Sequence, residues 1–248
     1  MSHHRASIHV RKKLLRGEVA LSSMRAMARS AFTLLLLACV FAFVIHYYAL
    51  YVIIALFAGY YHKALVFDTL VILNSLKNVI GLFDWWSKVD DMLYLGAVPL
   101  REAHNKQLLD KLKIQVVLSI NEDYELKCPT LFGVPTSSTY WHQNKVSHLV
   151  LPSPDFVPPN LKLLDRAADY LDLQLSNRRP VYVHCKAGVG RSASAVMAYF
   201  IKYKRMSVPE AHAALKRARR HVFGASSPNY RNMEKYSESL FGSTNKNN

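Results

Sequence analysis

Between Ala31 and Tyr61 the chain carries no Asp, Glu, Lys or Arg, and Leu34 to Leu37, Val40 to Ile45 and Val52 to Phe57 leave no polar face. At about 1.5 Å per residue such a run is longer than a bilayer core requires, so residues 31–61 predict a membrane anchor rather than a core helix. Tyr47, Tyr48 and Tyr51 beside His46 interrupt the run midway, where a simple span does not usually place them. It reads either as one tilted helix or as two shorter arms turning near His46. From 62 to 83, Leu65, Val66, Leu70, Val71, Leu73, Leu76, Val79 and Ile80 recur at helical spacing, broken by Lys63, Asp68 and Lys77. This milder pattern predicts a helix lying on the membrane or a second embedded segment.

From Asp84 onward the pattern is that of a soluble domain. Met92 to Leu95 reads as a short strand ending at Gly96, Arg101 to Lys113 as a helix and Gln115 to Ile120 as a compact apolar strand. Asn121 to Cys128 is a polar loop, His148 to Leu151 a short strand, and Asn160 to Leu175 a helix. Pro180 opens the strand Val181–Val183, and a Gly-containing loop leads into an apolar helix from Ser192 to Tyr203. Ser207 and Glu210 form a capping box with Pro209 inside it, starting a helix that runs to about His221. Strands alternating with helices predict an α/β domain with a central, mostly parallel sheet flanked by helices. The division is thus 1–30, 31–83 and 84–248, ending in a polar stretch from Gly242.

Charge refines this division. Lys and Arg number 32 against 17 Asp and Glu, for a net +15, which favours anionic partners: nucleic acid, a lipid surface or a phosphorylated substrate. Residues 1–30 hold seven basic residues, one acid and five serines. Arg-rich, Ser-bearing and acid-poor is the composition of a mitochondrial targeting segment, with Ile8, Leu14, Leu15, Val19 and Met24 as one apolar stripe; the alternative is a cytosolic basic tail. Aromatic residues do not alternate with the basic ones as a base-stacking platform requires, so no nucleic acid is expected. Cys39, Cys128 and Cys185 are too scattered for a zinc site and too few for a disulfide-built module. No metal and no cofactor are expected.

One segment carries chemistry. The strand Val181–Val183 runs into His184-Cys185-Lys186-Ala187-Gly188-Val189-Gly190-Arg191-Ser192 and then a helix. A loop closing onto a helix N-terminus aims backbone N–H groups at one point and adds the positive end of the helix dipole, which makes an anion site. Lys186 to Arg191 would bind a phosphate there, with Gly188 and Gly190 supplying backbone freedom and Arg191 a two-pronged grip. The same field favours a thiolate at Cys185, which would attack phosphorus. Ser192 would hydrogen-bond the leaving sulfur, and His184 would orient the loop. A leaving alkoxide needs a proton, and Asp155, just after a predicted strand, is the candidate general acid; otherwise it is a turn residue.

These residues resemble the P-loop of cysteine-dependent phosphatases of the small dual-specificity type. With Trp85-Trp86, Val89-Asp90, Leu95 to Leu100 and Ile120 to Glu125, the chain is similar, from about Trp85 to Tyr236, to mitochondrial protein-tyrosine-phosphatase-like enzymes that dephosphorylate phosphatidylglycerophosphate. Three positions depart from that family: Asp123 stands where it usually has Glu, and Val189-Gly190 where Arg-Ser is expected. The resemblance implies a phosphocysteine mechanism, Asp155 as the acid, an anionic phospholipid substrate on the route to cardiolipin, and the mitochondrial inner membrane. A protein-tyrosine or dual-specificity protein phosphatase is the alternative. Glu122 and Glu125 either orient Arg191 or only solvate their loop. Lys216, Arg217, Arg219, Arg220 and His221 either hold an anionic headgroup or form a solvated helix end. Cys128 is a spare thiol or a redox partner for Cys185.

Overall fold

In the computed structural model residues 2–242 are described, with side chains left aside at 2–33, 57, 58, 60 and 101–103. The apolar stripe expected within 1–30 and the polar end at 243–248 fall outside the described residues. Helix α1 runs Ser2–Val79, and the chain divides into two compact units, 1–62 and 63–248. In the first unit α1 is uninterrupted through His46, with no hairpin turn there. Its Leu34–Leu56 stretch, 23 residues with mean hydropathy 2.2 and no buried position, is long and apolar enough to cross a membrane.

The second unit is built on a five-stranded sheet. The strands are β1 (Trp86–Asp90), β2 (Leu93–Gly96), β3 (Val116–Ser119), β4 (Ser147–Val150) and β5 (Val181–His184), in the order β1-β2-β5-β3-β4. All pairings are parallel except the β1–β2 hairpin. Strand β1 was not expected from sequence, because Trp86-Ser-Lys-Val-Asp is too polar to stand out and is held by its partner's register. Strands β3 and β5 are buried along their whole length, as central parallel strands must be. The two-residue period then splits them between faces: Val116, Leu118, Val181 and Val183 join the main core, while Val117 and Tyr182 join a second cluster with Trp141 and Leu108.

The main core is closed by α4 (Leu161–Ser176), α5 (Arg191–Tyr203), α6 (Val208–Ala218) and α7 (Pro228–Phe241). Helix α5 is buried from Arg191 to Ile201, which fixes its first turn rigidly behind the loop that precedes it. The capping box of α6 forms as expected, Ser207 accepting from the Glu210 N–H. Helix α7 was missed in the sequence because it buries only Met233 and Tyr236, although Ser227 capping and Pro228 mark its start. The expected helix over 101–113 breaks instead into α2 (Arg101–Lys106) and a π-helical turn at Gln107–Lys111. A short α3 (Ser138–Gln143) precedes β4.

The end of α1 belongs to this unit. Phe67 and Val71 are buried in a cluster with Phe83, Trp85, Ala97, Val98 and Leu100. The helical spacing that suggested a surface or embedded helix thus serves, on this face, to pack against the domain.

Candidate active site

The loop 185–190 is shaped by what holds its carbonyls. The Cys185 carbonyl accepts from His184 Nδ1 at 3.2 Å and that of Lys186 from the Val98 N–H at 3.2 Å. Arg219 donates from Nη2 to Ala187 at 3.0 Å and from Nε to Gly188 at 2.9 Å. The Val189 carbonyl accepts from the Phe223 N–H at 3.2 Å and that of Gly190 from the Ser194 N–H at 2.9 Å. Because the N–H and C=O of a peptide plane point oppositely, a loop whose carbonyls are all tied outward presents its N–H groups inward. Those of Gly188 and Ser192 donate to the Cys185 sulfur.

Of the two loop glycines, Gly188 alone requires glycine. Its φ is +68°, and a Cβ there would lie 2.4 Å from the Gly96 carbonyl. Gly190, expected to share that role, has φ −108° and room for a side chain: an added Cβ would meet nothing nearer than Asn229 Nδ2 at 3.5 Å.

Burial by itself would raise the Cys185 thiol, but the Arg191 guanidinium, the Ser192 hydroxyl at 3.1 Å and the two backbone N–H groups outweigh it and lower its pKa. His184 Nδ1 must carry a proton, since a carbonyl only accepts, so its Nε2 accepts from Ser119 Oγ at 2.7 Å. Ser119 Oγ then accepts from His148 Nε2 at 2.7 Å, and His148 Nδ1 accepts from Ser138 Oγ at 2.8 Å. Burial holds the pKa of His184 down to about 3, keeping it neutral and excluding it as a proton donor near neutral pH.

Arg191 is 3% exposed and is gripped by Glu125, which is fully buried. Its Nη1 also donates to the Ser153 carbonyl at 2.9 Å, and its Nη2 lies 2.9 Å from Asp155 Oδ1. The other Asp155 oxygen pairs with Lys186, whose ammonium lies 4.6 Å from the centre of the Phe156 ring. Of the two candidate acids before Cys128, Glu125 alone meets Arg191. Glu122 caps the 3₁₀ turn Asp123–Leu126 and pairs with Lys63 at 3.2 Å.

These groups share a cleft of about 380 Å³. Its floor is made by Cys185, Lys186, Ala187, Val189, Gly190 and Arg191, and one wall by Asp155, Phe156 and Val157. Leu70 and Asn74 of α1 and Pro228 and Asn229 of α7, none expected at the site from sequence, complete it. The proposed basic cluster dissolves: Arg219 is 1% exposed and holds the loop, whereas Arg217 and Arg220 are exposed. Cys128 packs with the α1 cluster, and burial together with Asp68 raises its thiol pKa. Among the described residues no group of three or more His, Cys, Asp or Glu is placed to hold a metal.

A thiolate beside a buried, fixed guanidinium at a helix N-terminus can bind a tetrahedral dianion and attack it. The comparisons agree with that chemistry. Residues 93–238 match the sequence pattern of the family described as "Dual specificity phosphatase, catalytic domain". The chain is 33% identical over 141 residues to the phosphatidylglycerophosphate phosphatase PTPMT2 of Arabidopsis thaliana, covering 56% of this chain and 58% of that one. It is 36% identical over 140 residues to the phosphatidylglycerophosphatase and protein-tyrosine phosphatase 1 of Rattus norvegicus, covering 56% and 69%. The chain therefore spans little more than half to about two thirds of these relatives. A crystal structure of PTPMT1 in complex with PI(5)P superposes with a TM-score of 0.56 and 29% identity, covering 63% of this chain and 97% of that one.

Proposed function

The chain belongs to the dual specificity phosphatase catalytic-domain family, and from that premise we propose that it is a membrane-anchored phosphatidylglycerophosphate phosphatase. The observation that carries the reading is the Cys185 sulfur, hydrogen-bonded by Ser192 Oγ at 3.1 Å, lying with a buried Arg191 in the lining of one cleft.

In this reading the phosphate of the lipid settles among the loop N–H groups and takes the place of Asp155 beside Arg191 Nη2. The Cys185 thiolate attacks phosphorus, the P–O bond to the alcohol breaks, and Asp155, having taken a proton from solvent on leaving Arg191, gives it to the departing alkoxide. The phosphocysteine is then hydrolysed: Asp155 takes a proton from water as its oxygen bonds to phosphorus, and the S–P bond breaks. Ser192 donates to the returning thiolate. Lys186 keeps Asp155 and Phe156 at the rim.

The apolar stretch Leu34–Leu56 would hold the enzyme in the bilayer that contains its substrate, raising the local concentration of each for the other. The composition of residues 1–30 supports the mitochondrial inner membrane as that bilayer. A phosphotyrosine-directed activity is the second reading, favoured by the rat relative's double name.

Phosphate release from phosphatidylglycerophosphate in detergent micelles, beside a phosphotyrosine peptide, tests both. Full-length protein and its Cys185→Ser variant are compared. Lipid turnover that vanishes in the variant is expected; turnover of the peptide alone would overturn the lipid assignment. Protease protection of the full chain in isolated mitochondria tests the location, and its absence from that fraction would overturn it.

A further inference from the structure

We propose that the Lys63–Val79 part of α1 is the leaving-group wall of the catalytic cleft, with Leu70 and Asn74 as specificity-determining residues that receive a hydroxyl-bearing aliphatic alcohol. This rests on the phosphatase reading of the same site.

Phe67, Leu70, Val71 and Asn74 fall at i, i+3, i+4 and i+7, one stripe of the helix. Phe67 and Val71 anchor the stripe, buried to 0% and 1% exposure, and Phe67 meets the Tyr124 ring edge-on at 6.2 Å. Polar contacts fix the helix further: Asp68 Oδ1 accepts from the Leu131 N–H at 2.9 Å, and Asn78 Nδ2 donates to the Phe83 carbonyl at 2.6 Å. The wall is therefore preorganised, and its cleft-facing side chains are held in place by the neighbours that are buried. It lies before the residues 93–238 that match the family pattern.

The substrate's phosphate occupies the loop, and its alcohol must rise between two walls. Phe156, 79% exposed, and Val157, 55% exposed, line the same cleft as Leu70 and Asn74. Leu70 faces the carbon chain from the α1 side. Asn74 is half-buried, and among the described residues its carboxamide makes no hydrogen bond to the protein. A donor and an acceptor left open in a partly dry cleft suit an alcohol carrying a further hydroxyl, such as the bridging glycerol of the lipid. A flat aryl group offers Asn74 nothing to pair with.

The test is a cycle between enzyme and substrate. Phosphatidylglycerophosphate and its analogue with 1,3-propanediol in place of the bridging glycerol are turned over by full-length wild type and Asn74→Leu. Wild type is expected to lose about tenfold in kcat/KM without the hydroxyl, mainly through KM, while Asn74→Leu treats the two substrates alike. Equal losses in both proteins overturn the assignment of Asn74. Leu70→Trp, which narrows the cleft, is expected to raise KM at least fivefold for either lipid, while Thr69→Ala on the exposed face changes neither. An unmoved KM in Leu70→Trp overturns the wall. If wild type turns over only the phosphotyrosine peptide, the proposed substrate fails; a raised peptide KM in Leu70→Trp then still supports the wall, and an unchanged one overturns it.

Discussion

Glu125 grips Arg191 with both carboxylate oxygens, at 2.6 and 2.8 Å, where neither side chain is more than 3% exposed. The same carboxylate accepts from Asn121 Nδ2 at 3.1 Å and from the Glu122 N–H at 2.9 Å. It therefore fixes the arginine to the 3₁₀ turn rather than merely neutralising it.

Replacing Glu125 by Ala removes the two-pronged partner of a buried guanidinium and leaves it only Asp155 and the Ser153 carbonyl, a change that costs about 3 kcal/mol of stability. Glu125→Gln keeps the shape but surrenders one charged acceptor. Its kcat/KM for any phosphomonoester is expected to fall about 10- to 100-fold, with a smaller loss in urea midpoint than Glu125→Ala. Wild-type turnover in Glu125→Gln would mean that Arg191 is positioned by Ser153 and the helix alone.

Activity should fall as pH drops, because the attacking species is the Cys185 thiolate and the groups around it lower its pKa. Removing one of those groups raises that pKa. In Ser192→Ala the acidic limb of kcat/KM is therefore expected to move to higher pH, and iodoacetate alkylation of Cys185 to follow the same shift. A limb that stays put would assign it to another group. Added chelator should leave either profile unchanged.

The Cys185-to-Arg191 loop was legible in the sequence because its chemistry sits in consecutive residues, and β5 and α5 flank it as expected. What escaped was everything that reaches the loop from a distance. Arg219 read as one of five surface basics, since no local pattern tells a buried guanidinium from a solvated one. Leu70 and Asn74 read as part of a membrane-side helix, since helical spacing marks an apolar face without naming what it packs on. The alternatives for Glu122 and Glu125 separated only when the 3₁₀ turn aimed one inward and left the other with Lys63.

Three histidines should make the fold acid-sensitive. Burial holds His104 and His148 to about 4 and His184 to about 3, against about 6.5 in an unfolded chain. Between those values the unfolded chain binds the extra protons, so stability is fully present above pH 6.5 and declines as pH falls toward 4. Each histidine contributes a slope of up to about 1.4 kcal/mol per pH unit. Urea midpoints should drop markedly between pH 7.5 and pH 5, and a flat midpoint would show that these rings are protonated or solvated in the fold.

Arg219 touches no substrate, yet the loop's inward N–H groups depend on it. Its guanidinium holds the Ala187 and Gly188 carbonyls and reaches back to the Asp84 carbonyl at 2.8 Å, tying the loop to the entrance of β1. Lys at this position could satisfy one carbonyl, not the pair, because it lacks the planar fork. Arg219→Lys is therefore expected to lower kcat about 10- to 100-fold, the scale of losses that follow small misplacements in a preorganised site. A stability defect alone would not move vanadate affinity measured on the folded fraction, whereas a loosened N–H cradle would weaken it in parallel with kcat. Arg217→Ala, exposed two residues away, should change neither. If Arg219→Lys keeps its affinity for vanadate, the loop is shaped by His184, Val98 and Phe223 without it.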